Sequence, residues 1–139
     1  MSIEPPILNS ADSYRQWKAT MKFYLKEKQV MDIVNGTKPK PNSVDSNESE
    51  ISTWVKMDNL ASLILSKSIG SKYFFLVTDH EEEGSNIIWK SVTNHFEAKN
   101  AAAKIISMKQ LVQIVRAAEK HYFFIFSVIQ IKYNLSDRL

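Results

Sequence analysis

The chain contains no cysteine, which excludes disulfide frameworks, thiol nucleophiles and zinc knuckles or ribbons together, because each requires sulfur. Proline is absent after Pro41, so nothing beyond that point carries the residue that most reliably breaks a helix. The three glycines, Gly36, Gly70 and Gly84, are isolated, which leaves no phosphate-cradling loop and no Gly-x-Ser-x-Gly nucleophile elbow. Long apolar runs are also missing. The longest, Tyr122 to Ile131, is interrupted by Ser127 and Gln130 and is about half of the ~20 residues that span a bilayer, so no membrane anchor is expected. Met1-Ser2-Ile3-Glu4-Pro5-Pro6 lacks the basic and apolar stretches of a signal peptide, and Ser2 stands where a myristoylation site requires glycine. A cytoplasmic address is the expectation, and the triplets at Asn35, Asn47 and Asn134 are then chance matches to a glycosylation acceptor. Neither sign of charge dominates: the formal net charge of +3 falls short of the basic stripe of a dedicated nucleic-acid binder.

What is present suits one helical domain. A length of 139 residues can bury roughly two thirds of the unfolded surface, and 44% hydrophobic with 24% charged residues is ordinary globular usage that argues against disorder. The three tryptophans, Trp17, Trp54 and Trp89, each fall within helical apolar spacing and are expected in the core. A first helix starts near Ser10 or Asp12, with Tyr14, Trp17, Met21, Tyr24 and Leu25 on one face. A short helix at Val30 to Val34 ends at Asn35-Gly36, where glycine can adopt the left-handed conformation. Residues 37 to 47, with Pro39 and Pro41, form a loop. Asn47 or Ser49 caps a long helix carrying Ile51, Trp54, Val55, Ala61, Ile64 and Leu65 and ending near Gly70.

Tyr73 to Val77 is an apolar cluster compatible with a helical turn or a strand. Glu81, Glu82 and Glu83 before Gly84-Ser85 suit the positive end of the next helix, whose buried face is Ile88, Trp89, Val92 and Phe96. Asn100 introduces a further helix, Ala101 to Val115, with Ile105, Met108, Val112 and Val115 at heptad-like steps. A last segment from Ala117 to about Leu135 is apolar on nearly all sides and must be covered by something. The sequences around the tryptophans share nothing else, which argues against a solenoid.

No catalytic constellation competes with this architecture. His80, His95 and His121 have no metal-ligand spacing, and His95-Phe96-Glu97 matches the His-x-Glu of zinc deaminases without the two cysteines that chemistry needs. No catalytic residue, metal ligand or cofactor site is assigned, and no small-molecule substrate is expected. Lys18, Lys22 and Lys26 recur at four-residue steps, with Lys38 and Lys40 in the following loop; they are candidates for weak RNA contact. Glu27 and Asp32 interrupt that field, which favours an ordinary solvated face.

In order, Tyr14-x-x-Trp17-x-x-x-Met21-x-x-x-Leu25, Val34-Asn35-Gly36 with Pro39, Trp54 with Asp58 and Ala61, and Trp89-x-x-Val92-x-x-x-Phe96 before Lys99-Asn100-Ala101 resemble the Gag polypeptide of copia-type LTR retrotransposons. The resemblance covers roughly residues 7 to 115. It implies an all-α, compact multi-helix bundle of the Gag capsid type, and a non-enzymatic structural role: homo-oligomerisation through helical faces into a shell around the element's RNA. The family usually continues into a second helical half and often a zinc knuckle, and residues 116 to 139 fit its pattern poorly. The expectation is therefore a truncated or decayed capsid reading frame, with an extended arm at 1–9, a Gag-like domain at 10–115 and a divergent apolar segment at 116–139, binding RNA weakly and without sequence preference. The alternative is a small helical nucleic-acid- or protein-binding module.

Overall fold

The computed structural model describes residues 3–137, with side chains described through Asn134; the outermost residues of the expected arm and of the expected C-terminal segment lie outside them. A short 3₁₀ turn, Ala11–Ser13, leads into helix α1 (Tyr14–Glu27). Helices α2 (Met31–Val34), α3 (Glu48–Ser68), α4 (Phe75–Thr78) and α5 (Ser85–Asp137) follow, with a second 3₁₀ turn at Ser71–Tyr73 before α4. No strand occurs among the described residues; one isolated bridge joins Leu8 to Ile69. The ambiguous Tyr73 to Val77 cluster is thus helical. The chain divides between Glu97 and Ala98 into two units.

In the first unit most of the α1 stripe is buried: Tyr14, Trp17, Met21 and Leu25 are in the core, and Tyr24 is half-buried against it. Their partners are Ala61, Ile64 and Leu65 of α3, Leu76 and Val77 of α4, and Ile88, Trp89, Val92 and Phe96 of α5. The aromatic members form a connected set. Trp17 stacks on Trp89 with centroids 5.7 Å apart, Tyr14 stacks on Phe96 at 4.9 Å, and Tyr73 meets Phe96 edge-on at 4.8 Å. Each such pair adds about 0.5–1.5 kcal/mol beyond area burial, so the set binds α1, the Ser71–Tyr73 turn and the start of α5 together.

A second constraint is polar. The Ser68 carbonyl, left over at the end of α3 as helix termini require, accepts from both the Leu8 amide at 2.7 Å and the Trp17 indole N–H at 3.2 Å. The Gly70 amide returns a bond to the Leu8 carbonyl at 2.8 Å, and Leu8 is fully buried. Residues before the first helix are therefore tied to the end of α3. Gly70 is required there by space: a Cβ would lie 2.9 Å from the Leu8 carbonyl oxygen.

Helix starts depart from the sequence reading in instructive ways. Neither Ser10 nor Asp12 caps α1 through its side chain; the Ser13 hydroxyl instead donates to the Ser10 carbonyl at 2.9 Å within the 3₁₀ turn. At α3, Asn47 is the cap, its Oδ1 accepting from the Glu50 amide at 2.8 Å. At α5 the cap comes from another helix: Asp58 of α3 accepts from both the amide and the hydroxyl of Ser85, at 3.0 and 2.6 Å. Gly36, with φ of +83°, lies against Asn86, whose side chain donates to the Val34 carbonyl at 2.8 Å and joins the α2 turn to the first turn of α5.

Two expectations are corrected. Trp54 is half-buried and outside the core cluster, because its indole N–H reaches the Lys38 carbonyl at 3.0 Å and holds the ring over the loop instead. The helices expected to start after Asn100 and near Ala117 are not separate, since α5 runs unbroken from Ser85 to Asp137. Nothing in that stretch interrupts it: Gly84 is the last glycine and Pro41 the last proline. The expected cover for the apolar segment is also missing among the described residues.

Trp17→Ala should cost about 3–5 kcal/mol, while Trp54→Ala should cost about 1 kcal/mol, the value of one hydrogen bond. Urea denaturation of the two variants measures the contrast; equal losses would contradict the placement of Trp54.

Candidate association surface

The residues matched in the resemblance converge on the interior and its turns. Tyr14, Trp17, Met21, Leu25, Val34, Ala61, Trp89, Val92 and Phe96 are buried, while Gly36 is exposed at its turn and Trp54 sits at the rim. They hold the fold and leave function to the surface.

The basic residues do not form one field. The Lys18 ammonium pairs with Glu97, which also accepts from the Tyr14 hydroxyl at 3.0 Å. Lys22 contributes to the same carboxylate's environment. The Lys18 hydrogen bond holds the Glu97 carboxyl below the ordinary value near 4.5 despite some desolvation, with the Tyr14 bond and the Lys18 and Lys22 charges assisting. Burial, reinforced by that carboxylate, pushes the Tyr14 hydroxyl above its ordinary range. Further along, the Lys26 ammonium sits 5.7 Å from the centre of the Phe23 ring. Lys38 and Lys40 are exposed in the loop after α2. Glu97 escaped the sequence reading because its role depends on α1 packing beside α5; so did Asp58 as a cap and Asn86 as a clamp.

A surface groove of about 590 Å³ lies among the N-terminal residues, α1 and α3. Ile3, Pro5, Ile7, Tyr24, Leu60 and Leu63 supply its apolar lining, and Lys28, Lys67 and Glu4 its charged groups. No nucleophile stands beside a base there. Among the described residues no cluster of three or more His, Asp or Glu side chains could hold a metal ion, and no helix is long and apolar enough to cross a membrane. His95 is packed by aromatic rings, edge-on to Phe75 at 5.8 Å and Phe96 at 5.0 Å, and His80 lies 3.2 Å from Glu83.

The second unit has the opposite character. Along α5 from Ala98 to Asn134 every side chain is exposed except Ser127 and Val128, which are half-buried. Ile105, Met108, Leu111, Val112, Val115, Tyr122, Phe126 and Ile129 are 46–79% exposed. Scattered apolar residues on a surface are ordinary, but a contiguous stretch on this scale is not.

The first unit is all-α around an aromatic core, and beyond Ala98 α5 continues as a long helix with exposed apolar side chains. The family model for the gag-polypeptide of LTR copia-type matches residues 21–120, and the chain belongs to that family. Neither a curated protein nor a solved structure matches it. The match runs from Met21 in α1 through the turns and helices of the first unit into the exposed part of α5, so both units contribute to the family pattern.

Glu97→Gln tests the Tyr14–Lys18–Glu97 network. A carboxyl held below its unfolded value contributes stability that is full above about pH 4.5 and fades as pH falls through the lowered value. Because Glu97 is half exposed, the loss at pH 7 should be no more than about 1 kcal/mol, weakened by salt. Denaturant titrations of both proteins should differ at pH 7 and draw together as pH falls below about 4.5; a constant offset would contradict the assignment.

Proposed function

We propose that this chain is a non-enzymatic structural subunit that works by associating with copies of itself in the cytoplasm, as its membership of the copia-type gag-polypeptide family suggests. The observation that carries the reading is the exposed apolar length of α5 beyond Ala98. Burial of that surface at roughly 25 cal/mol per Å² is the largest unrealised source of stabilisation in the molecule. The reading requires no cofactor, metal or small-molecule substrate, and the first unit contributes a folded body with its own apolar core.

RNA contact in this reading is weak and independent of sequence. Lys22, Lys26, Lys38 and Lys40 remain to meet phosphates, while the Lys18 charge is offset by Glu97. A few contacts of this kind give a shallow salt dependence, whereas six or more phosphate contacts would lose about a thousandfold or more in affinity between 50 and 200 mM salt. Apolar association persists or strengthens over the same range.

Sedimentation of the full chain and titration with RNA, each at about 50 and 200 mM salt, test the proposal together. Discrete oligomers that persist at the higher salt are expected, with weak RNA binding. A monomer that binds RNA tightly and loses it steeply with salt would replace this reading with a nucleic-acid-binding module.

A further inference from the structure

The exposed part of α5 has a seam more regular than general stickiness requires. Ala101, Ile105, Met108, Val112, Val115, Glu119, Tyr122, Phe126, Ile129 and Tyr133 follow one another at alternating steps of four and three. That spacing is the a and d pattern of a coiled coil, sustained beyond the three to four heptads that distinguish one from chance. All ten side chains lie on exposed positions of one uninterrupted helix. The exception to apolarity, Glu119, sits in the middle.

From this seam we infer that residues 101–133 of α5 pair with the same segment of a second copy as an antiparallel two-stranded coiled coil, in the register that sets Ala101 against Tyr133. This deepens, and rests on, the self-association reading. Two features of the sequence along the helix, side-chain size and charge, select the occupant and its direction. In an antiparallel pair each a residue faces a d residue, and the register that overlaps the whole seam sets Val112 against Tyr122, Met108 against Phe126 and Ile105 against Ile129. Val112 and Met108 in the N-terminal half thus meet aromatic rings in the C-terminal half, isoleucine meets isoleucine between Ile105 and Ile129, and Ala101 makes room for Tyr133.

Charge points the same way. In a parallel, in-register pair Glu119 would face its own copy inside the seam, a like-charge contact in an apolar setting. Antiparallel pairing moves it opposite Val115 and beside Arg116 of the second copy, so two Arg116 and two Glu119 side chains gather about the twofold axis with no net charge. The flanking lysines do not decide the matter, because each direction brings some of them together: Lys104 meets Lys109 in the parallel pair and Lys132 in the antiparallel one.

Because the chain has no cysteine, a single introduced one places a unique spin label. Ala103→Cys lies outside the seam. At 1.5 Å rise per residue an antiparallel dimer puts the two labels about 40 Å apart along the axis, and a parallel dimer puts them side by side. Dipolar spectroscopy on the full chain should give the long distance. Charge exchange supplies the second arm. Glu119→Arg gathers four cations at the axis and should weaken dimerisation at least tenfold, and the double change Arg116→Glu with Glu119→Arg should restore it. Helical content by circular dichroism should stay unchanged in both, since both positions are exposed. A short label distance, or charge variants that assemble as the parent does, would overturn the antiparallel seam while leaving self-association standing. A chain that sediments as a monomer would overturn both.

Discussion

The Ser68 carbonyl at the end of α3 is the point on which the first unit depends. It accepts the Trp17 indole N–H from α1 and the Leu8 amide from the residues ahead of it, and Trp17 in turn stacks on Trp89 of α5. One carbonyl and one ring therefore connect four segments: the residues around Leu8, α1, the end of α3 and the start of α5. The energetic logic is asymmetric: made, such a bond contributes about 1 kcal/mol, but the buried indole N–H left without an acceptor would cost about 1–3 kcal/mol. The stacking provides apolar stabilisation and the hydrogen bond fixes which face of the ring meets which helix. Gly70 keeps the space in which Leu8 reaches its partners.

Much of this arrangement was legible in the sequence, and the reason is periodicity. Tyr14, Trp17, Met21 and Leu25, and again Ile88, Trp89, Val92 and Phe96, are spaced so that only a helix buries them on one side, and the structure buries all eight. The Gly36 turn was equally readable, and the α3 cap was narrowed to Asn47 or Ser49, of which the structure uses Asn47. The family resemblance drew on the same residues and holds for the chain.

What could not be read was set by contacts between distant segments. Asp58 caps α5 from the side of α3, Asn86 clamps the turn after α2, and Glu97 gathers Lys18 and Tyr14. Nothing local marks any of them. Trp54 misled for a related reason: its spacing fits an apolar stripe, but a carbonyl of the preceding loop takes its N–H and draws it to the rim. The break expected at Asn100 failed because asparagine interrupts a helix only weakly when neither proline nor glycine supports it. That failure matters for function. An unbroken α5 presents its heptad seam as one continuous edge, where two short helices would have offered two unrelated patches, and the lysines that suggested RNA binding are partly neutralised by a carboxylate the sequence did not single out.

Trp17 and the Ser68 carbonyl unite the first unit, with Leu8 ahead of the first helix, into one cooperative body. Native-state hydrogen exchange on the parent and on Trp17→Phe, which keeps an aromatic ring but removes the indole N–H, tests it directly. In the parent the amides of Leu8 and Gly70 should exchange with the same opening free energy as core amides of α1 and α3, and all four groups should lose protection together in the variant. Exchange of Leu8 and Gly70 at a lower free energy than the α1 and α3 core, unaffected by the substitution, would contradict it.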